Sequence, residues 1–208
     1  MENVVRYKYQ KTKSNKKGEI IMKILVCVDL QNDFIDGALG SPEAVTIVPN
    51  VVRKLENTNL EEVLVLFTKD THYENYLDTL EGKLLPVKHC IENTSGWSIN
   101  KQISSVVDGS PRLTYSSGKI INSRIYKNTF GSDDLRDFLL EHKDDIEEIE
   151  FCGLCTDICV VSNVLMARQT LPNTPIIVDA SCCAGVTPEK HSAALEVMRS
   201  CQIEVVND

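Results

Sequence analysis

The apolar run Lys23-Ile-Leu-Val-Cys-Val-Asp29 lies near the start of the chain and ends in a carboxylate. Continuous apolar character over so few residues is typical of a strand that is covered on both faces, as in a parallel sheet. Five later segments also have the composition of strands: Glu62–Thr68, Ile120–Lys127, Ile149–Leu154, Pro175–Ala180 and Gln202–Val206. The sequence therefore predicts a sheet of about six strands.

Segments with a helical pattern separate these strands along the chain. They comprise a helix that starts at Val51 after Pro49, followed by Asp133–His142, Ile158–Leu171 and Pro188–Cys201. Strands that alternate with helices are joined by right-handed crossovers, so the order predicts a three-layer α/β/α fold with a mostly parallel sheet. Residues 69–118 contain more turn residues and histidines than a simple crossover needs, and we expect part of that segment to serve function.

Length and charge limit the classes of function. The chain has 208 residues, of which 42% are apolar, and a net charge of −8. This length favours one globular domain, which we place at residues 22–208. Residues 1–21 carry a net charge of +4 and are expected to form a basic, flexible leader. The acidic remainder argues against nucleic acid or an anionic membrane as a partner and favours an enzyme of small molecules.

The cysteines indicate a reducing compartment. The chain has eight of them, but its basic start is not followed by the apolar stretch and cleavage site of a secretory signal. No apolar run reaches the roughly 18 residues that a membrane helix requires. We therefore expect a cytoplasmic protein with reduced cysteines.

Chemically active residues follow five of the predicted strands. In a parallel sheet the active site lies beyond the carboxyl ends of the strands, so these positions are expected to be near one another. They are Asp29, Asp70 with His72, Lys127, the turn from Cys155 to Cys159, and Ser181 with Cys182 and Cys183.

Cys159 is the strongest candidate for a nucleophile among them. The segment Gly153-Leu-Cys-Thr-Asp-Ile-Cys159 leaves a buried strand and enters a helix that Thr156 or Asp157 could cap. Free N–H groups and the positive end of the helix dipole would favour the Cys159 thiolate, and the same donors could hold an oxyanion. The alternative is that Cys159 is a small buried hydrophobe, as most free cysteines are.

Two charged residues at strand ends favour the chemical interpretation of Cys159. The carboxylate of Asp29 can take the thiol proton, and a cationic Lys127 can lower the pKa of both partners. Each could instead have an ordinary role, Asp29 as a loop cap and Lys127 as a solvated surface charge. The coincidence of all three at strand ends makes the ordinary roles the weaker explanation.

With these motifs, the sequence resembles the isochorismatase-like cysteine hydrolases, and within them the nicotinamidases and pyrazinamidases. The resemblance runs from about Lys23 to Val206. The segments that carry it are VDLQNDF (28–34), TKDTH (68–72), LPVKHC (85–90), YKNTFGS (126–132) and GLCTDICV (153–160).

The resemblance implies a role for each residue of the predicted site. Asp29 would be the general base, Lys127 its electrostatic partner and Cys159 the nucleophile. A cis peptide bond would enter Cys155, and the N–H groups of Cys155 and Cys159 would form the oxyanion hole. Phe34 would be a wall of the substrate pocket, or otherwise ordinary core. Cys155 departs from the family, which often has Ala there, and a second thiol near Cys159 permits a reversible disulfide.

A second group of residues has the composition of a metal site. Asp70, His72 and His89 are ligand types that suit Zn²⁺, Mn²⁺ or Fe²⁺ with open coordination positions. The resemblance implies a divalent metal, with Zn²⁺ as the first choice, and a fourth ligand that is His or Glu. Glu81 is the best candidate here and Asp78 the second. Alternatively, Asp70 and His72 only cap a loop and His89 hydrogen-bonds within it.

Other notable side chains are expected to be structural. Trp97 could line a pocket or belong to the core. Cys182 and Cys183 invite a metal site with Cys152 and Cys155, but buried small residues are the preferred interpretation because buried strand ends suit a Cys₄ zinc site poorly. The remaining histidines, His142 and His191, lie in charged helical stretches and are expected at the surface.

The activity that this resemblance implies is hydrolysis of the carboxamide of nicotinamide, or of a close analogue, to the acid and ammonia through a thioester. Two alternatives stay open. One is a cysteine hydrolase of another small amide or ureido compound. The other is a non-catalytic or redox-sensing module in which Cys155 and Cys159 form a reversible disulfide. The resemblance also implies a homo-oligomer.

Overall fold

A seven-stranded sheet organises the chain in a computed structural model that describes residues 22–60, 62–107, 120–121 and 124–208. The expected leader, residues 1–21, lies outside the described residues. The strands are β1 Met22–Val28, β2 Val63–Asp70, β3 Ile120–Ile121, β4 Arg124–Lys127, β5 Ile146–Leu154, β6 Ile176–Ala184 and β7 Glu204–Val206. Their order in the sheet is β3-β4-β2-β1-β5-β6-β7.

The sheet is parallel except at one edge. Six strands run parallel to their neighbours, and the two-residue β3 pairs antiparallel with β4. The mostly parallel sheet is therefore confirmed. The single strand predicted at Ile120–Lys127 is wrong, because β3 and β4 are separate strands that pair antiparallel to each other.

Strand β1 lies at the centre and is buried on both faces, as its apolar run predicts. It pairs with β2 on one side, where Lys23 is in register with Val63, and with β5 on the other, where Val28 is opposite Gly153. Gly153 has a φ of +126°, and a Cβ at this position would lie 2.1 Å from the carbonyl oxygen of Val28. Only glycine therefore lets β5 approach β1 this closely, immediately before the turn that carries Cys159.

Helices cover both faces of the sheet. They are α1 Asn32–Ile35, α2 Pro42–Asn57, α3 Leu80–Leu84, α4 Lys101–Val107, α5 Asp133–Glu141, α6 Val161–Thr170 and α7 Pro188–Ser200. Helix α2 packs against β6 and α4, whereas α5 contacts α6 and α6 contacts α7, so the layers form two separate groups. The predicted three-layer α/β/α architecture is confirmed. None of the described helices has the length and apolar character needed to cross a membrane.

Two element boundaries differ from the sequence-based expectation. Helix α2 starts at Pro42 and contains Pro49, because its apolar face continues through the proline with Ile47, Val48 and Val51 all buried. Strand β6 runs on to Ala184, so Ser181, Cys182 and Cys183 lie within the strand. The prediction that these three residues follow the strand end is therefore wrong.

Candidate active site

The carboxyl ends of β1, β2, β4 and β5 meet at one edge of the sheet. Asp29 directly follows β1, Asp70 and Lys127 are the last residues of β2 and β4, and Cys159 lies in a π-helical turn, Thr156–Val160, after β5. All four side chains are buried. The parallel topology thus brings together residues that are up to 130 positions apart in sequence.

Asp29 is fixed by its backbone and by strand β2. Its φ of 47° is in the left-handed region, which turns the chain as β1 ends. Its N–H lies 3.2 Å from both the carbonyl oxygen and the hydroxyl oxygen of Thr68. The Thr68 hydroxyl donates to Asp29 Oδ1 at 2.7 Å. One carboxylate oxygen is therefore occupied, and Oδ2 faces Lys127.

Lys127 lies between the other two members of the predicted triad. Its ammonium Nζ is 2.6 Å from Asp29 Oδ2 and 3.6 Å from Cys159 Sγ. Asp70 Oδ1 is a third neighbour at 3.6 Å. Burial favours the neutral amine, but the charges of Asp29, Cys159 and Asp70 hold the pKa of Lys127 above its ordinary value. The lysine is therefore a buried cation at neutral pH.

Burial shifts the titration of Asp29 and Cys159 toward their neutral forms. It raises the pKa of Asp29 although Lys127 and Thr68 act in the opposite direction. It also raises the pKa of Cys159 well above its ordinary value, and the negative charge of Asp29 adds to this effect. The expected resting thiolate at Cys159 is thus not what the structure favours. A proton acceptor has to act before the sulfur can attack, and Asp29 is in place for that role.

The turn that carries Cys159 has no side-chain cap of its own. We expected Thr156 or Asp157 to cap the helix. Instead, the Thr156 hydroxyl lies 2.8 Å from His191 Nδ1, and Asp157 Oδ1 accepts the N–H of Val186. Thr156 therefore connects the turn to α7, and Asp157 connects it to the segment that leads into α7.

Cys155 directly precedes this turn, and the expected cis peptide bond at its N-terminal side is confirmed. The peptide bond between Leu154 and Cys155 is cis. The Cys155 carbonyl accepts hydrogen bonds from the N–H groups of Ile158 and Val160. Burial raises the pKa of the Cys155 thiol to about 12. At neutral pH this thiol is protonated, which makes it a poor partner for thiol exchange.

Asp70, His72 and His89 form a buried cluster whose ligand atoms all lie within 4.8 Å of one another. Asp70 Oδ2 is 3.0 Å from His72 Nε2 and 3.4 Å from His89 Nε2. Burial opposes ionisation of Asp70, but the two imidazoles and Lys127 hold its pKa well below the ordinary value. The cluster therefore presents one carboxylate and two imidazole nitrogens to a common point.

This donor set fits a divalent transition metal. Among the described residues, His72 Nε2 is one of three buried side-chain polar atoms without a hydrogen bond of good geometry, although it faces Asp70 Oδ2 at 3.0 Å. This is an unusual state for a buried nitrogen. The other ring nitrogen of His89, Nδ1, lies 2.9 Å from the carbonyl oxygen of Val87. A hydrogen bond at Nδ1 leaves Nε2 free to ligate, which is the usual arrangement of a metal-bound histidine.

Glu81 is the better placed of the two candidates for a fourth ligand. Its Oε1 lies 3.8 Å from His72 Nε2 and 3.9 Å from His89 Nε2, and its side chain is 26% exposed. Asp78 is exposed in the short 3₁₀ helix Tyr76–Asp78. The order of preference from the sequence therefore agrees with the geometry.

The aromatic residues differ in their relation to the site. Phe34 is 8% exposed, and its ring lies edge-on to His89 with centroids 5.5 Å apart. Trp97 stacks on Tyr126, lies beneath the ammonium of Lys69, and donates from Nε1 to Thr71. Phe34 can therefore contact a flat ligand beside the cluster, whereas Trp97 has its ring engaged in packing.

Sequence reasoning missed the residues that hold this site in place. Gln31 is fully buried and makes two hydrogen bonds to the backbone of Asp70, one from Nε2 to the carbonyl and one from the Asp70 N–H to Oε1. Asn163 donates to the carbonyl of Cys159 at 2.8 Å. Asp33 accepts the N–H of Cys90, next to His89. The only available signal was that Gln31 and Asp33 lie within the VDLQNDF motif.

The remaining cysteines and histidines lie outside this arrangement. All eight cysteines are within the described ranges, and none forms a disulfide. No metal-ligand cluster among the described residues includes Cys152, Cys182 or Cys183, consistent with buried small residues. His142 and His191 are both half-buried rather than at the surface, and His142 stacks on Phe138.

Comparison with known proteins gives a consistent result. A family model described as the isochorismatase domain matches residues 23–207. The chain is 29% identical to the nicotinamidase of Schizosaccharomyces pombe, in a match that covers 88% of this chain and 92% of that protein. Among solved structures, nicotinamidase from Bacillus subtilis superposes with a TM-score of 0.72 at 27% identity, covering 89% of this chain and 99% of that one.

A further solved structure, pyrazinamidase of Pyrococcus horikoshii in complex with zinc, has a TM-score of 0.69 and 25% identity, covering 89% of this chain and 99% of that one. The family match spans the described sheet except Met22, and it includes every residue of the candidate site. The chain therefore belongs to the isochorismatase family.

Proposed function

We propose that this protein is a cysteine-dependent amidohydrolase that cleaves the carboxamide of nicotinamide, or of a close analogue, to the acid and ammonia. One observation carries the proposal. The Asp29–Lys127–Cys159 group and the Asp70–His72–His89 group adjoin each other, with Lys127 Nζ 3.6 Å from both Cys159 Sγ and Asp70 Oδ1. A nucleophile beside a ligand-binding cluster suits a small amide that also carries a basic ring nitrogen.

Acylation begins with proton transfer from Cys159 to Asp29. The sulfur then attacks the carboxamide carbon, and Lys127 stabilises the negative charge on the sulfur during the transfer. The N–H groups of Cys155 and Cys159 stabilise the tetrahedral oxyanion. Asp29 returns the proton to the amide nitrogen, which leaves as ammonia, and a thioester on Cys159 remains.

Deacylation reuses the same carboxylate. Asp29 takes a proton from a water molecule, and the resulting hydroxide adds to the thioester carbon. Collapse of this second oxyanion breaks the carbon–sulfur bond and releases the carboxylic acid. The proton on Asp29 returns to the Cys159 sulfur, which restores the starting state. The raised pKa of Asp29 supports this double role, because the carboxyl group has to hold a proton transiently in both halves of the reaction.

Asp70, His72, His89 and Glu81 would hold a divalent transition metal, with Zn²⁺ the first choice. When bound, the metal would supply a Lewis acid that fixes the pyridine nitrogen of the substrate. Phe34, beside His89, would contact the face or edge of the same ring.

Ammonia release from nicotinamide by the purified protein, with and without a chelator, tests the proposal. We expect turnover in the wild type, loss of at least about 10³-fold in Cys159→Ala, and loss on chelation that added Zn²⁺ or Mn²⁺ reverses. Benzamide, which has no ring nitrogen, should be a poor substrate. Undiminished ammonia release by Cys159→Ala would exclude the cysteine mechanism.

A different small amide remains the second candidate substrate. Equal rates on nicotinamide and benzamide, unaffected by chelation, would favour it over nicotinamide. The redox-sensing alternative has less support, because burial raises the pKa of both Cys155 and Cys159.

A further inference from the structure

We propose that His191 is a positioning residue for the hydrolysis: through Thr156 it holds the turn that carries Cys159 and the backbone donors of the oxyanion. The chemical part of this inference rests on the proposed function. His191 lies on α7, beyond all five sequence segments that resemble the family, and neither the triad nor the metal cluster includes it.

The contact between His191 and Thr156 is direct and lies within the turn that carries Cys159. Thr156 is fully buried between Cys155 and Cys159, and its hydroxyl lies 2.8 Å from His191 Nδ1. The turn has no side-chain cap, so residues 155–160 are held by the hydrogen bonds to the Cys155 carbonyl and by contacts made from other elements. The imidazole supplies one of these contacts from a separate element.

The segment before α7 lies close to the turn that carries Cys159. The Val186 N–H donates to Asp157 Oδ1 at 2.9 Å. A Cβ on Gly185 would lie 2.8 Å from both Asp157 Oδ1 and the His191 backbone nitrogen, so glycine is needed for the approach. Thr187 caps α7 by accepting the N–H of Lys190, and its carbonyl accepts the His191 N–H. His191 therefore projects from the well-ordered start of a capped helix.

The charge state of His191 suits a hydrogen bond with a hydroxyl. Burial lowers the pKa of His191, while the carboxylates of Asp208 and Asp157 act in the opposite direction. A neutral imidazole can accept the Thr156 proton at Nδ1 or donate its own, so the contact persists in either tautomer. Within the described part of the chain, the fully buried Thr156 hydroxyl has no other hydrogen bond, so the turn would have to shift to satisfy it if the contact were lost.

Such a shift would affect the reaction more than it affects binding. The N–H groups of Cys155 and Cys159 meet full negative charge only in the transition state, so small displacements lower kcat. The metal-ligand candidates lie at the end of β2, just after it, on α3 and in the loop that contains His89. Helix α7 packs mainly against the Cys159 turn, α6, β6 and β7, so KM should change little.

Four substitutions test this role. His191→Leu and Thr156→Val remove the contact, and each should lower kcat for nicotinamide about tenfold with KM within about twofold. His191→Asn can place an amide near the Nδ1 position, and Thr156→Ser keeps the hydroxyl, so both should recover most of kcat. The double variant His191→Leu/Thr156→Val should lose little more than either single variant, because both substitutions remove the same contact.

His142→Leu is the matched control. His142 is also half-buried, and its Nδ1 lies 2.9 Å from the Phe138 carbonyl, but it is on the C-terminal side of α5. Its replacement should lower the melting temperature without changing kcat. An equal loss of kcat in His142→Leu and His191→Leu, additive losses in the double variant, or no recovery with His191→Asn would each overturn the positioning role.

A second readout separates this inference from the proposed function. The alkylation rate of Cys159 by iodoacetamide needs no substrate and depends on the position of the sulfur. It should change in His191→Leu and Thr156→Val, and return toward the wild-type rate in His191→Asn. If the wild type does not hydrolyse nicotinamide, the proposed function fails, but the alkylation rates still test the role of His191. Equal alkylation rates in all variants would overturn that role.

Discussion

Asp29 has two opposite influences on Cys159. In the proposed reaction it accepts the thiol proton as a base, but its negative charge also raises the pKa of the same thiol. In that reaction Cys159 would stay a thiol until the carboxylate takes its proton. This differs from a cysteine that is ionised at rest by a helix terminus, and it protects the sulfur from oxidation, because the thiolate is the reactive form.

The first prediction separates these two influences. In the wild type, the rate of Cys159 alkylation should rise with pH with a midpoint above about 8.5, the value of a free cysteine. Asp29→Asn removes the negative charge but leaves Lys127, so the midpoint should fall by about one unit while amide turnover is lost. The exposed Asp36→Asn variant serves as the control. A midpoint that stays constant or rises in Asp29→Asn would contradict this account.

The second prediction concerns the fourth metal ligand. Glu81 Oε1 is less than 4 Å from both imidazole Nε2 atoms, whereas Asp78 is exposed. Glu81→Gln should therefore weaken Zn²⁺ binding by about tenfold or more, measured by competition with a chromogenic chelator. Asp78→Asn should bind like the wild type. The opposite order of affinities would assign the ligand to Asp78.

At the scale of elements, one ion-pair group connects α2 to the sheet. Lys54 Nζ lies 2.6 Å from both Glu150 on β5 and Asp179 on β6. Ser181 and Asn207 donate to the other oxygen of Asp179. Burial would raise the pKa of Asp179, but Lys54 and these donors together hold it below the ordinary value. The ionised carboxylate thus stabilises the contact between α2, β5 and β6.

The third prediction follows from the sign of that shift. A lowered pKa in the folded state stabilises the protein at pH values above the unfolded pKa of about 3.9, and this contribution is lost as the pH falls below it. Asp179→Asn should therefore lower the free energy of urea unfolding by about 1–2 kcal/mol at pH 7 and by less at pH 3. The exposed Asp144→Asn provides the control. An equal cost at both pH values would argue against the ion-pair explanation.

The elements also show what the sequence could and could not reveal. Strand β1 was predictable because both of its faces are buried, which leaves an unbroken apolar run. The N-terminal half of α2 was not, because Pro49 is normally a helix breaker and only the buried face of α2 explains its tolerance. The C-terminal part of β6 was also not predicted, because the sequence does not show whether a serine such as Ser181 ends a strand or lies within it.

The candidate site also has residues that the sequence predicts and residues that it does not. Asp29, Lys127 and Cys159 could be brought together from the sequence because the ends of parallel strands share one edge of the sheet. His191 could not, because its partner Thr156 is 35 residues away and no periodicity marks a contact between a helix and a turn. The titration of Cys159 was also not predictable, since burial depends on the packing of the whole fold.

For the whole molecule, the described fold begins at Met22. This residue is buried, starts β1, and donates its N–H to the carbonyl of Asp145. The fourth prediction is that a chain starting at Met22 keeps the melting temperature and the nicotinamide turnover of the full chain. Its greater negative charge should delay its elution from an anion-exchange column. A large fall in melting temperature would show that residues 1–21 contribute to stability.

The residues of the candidate site fall into two groups along the sequence. Asp29, the metal-ligand candidates and Lys127 all precede residue 128, whereas Cys159 follows β5. The metal-ligand candidates are therefore encoded apart from the candidate nucleophile Cys159, and a change at position 159 can leave the cluster intact. Under the proposed function, a descendant that lost only the sulfur at position 159 would keep the cluster that binds the ligand, and would act as a receptor for the amide that its ancestor hydrolysed.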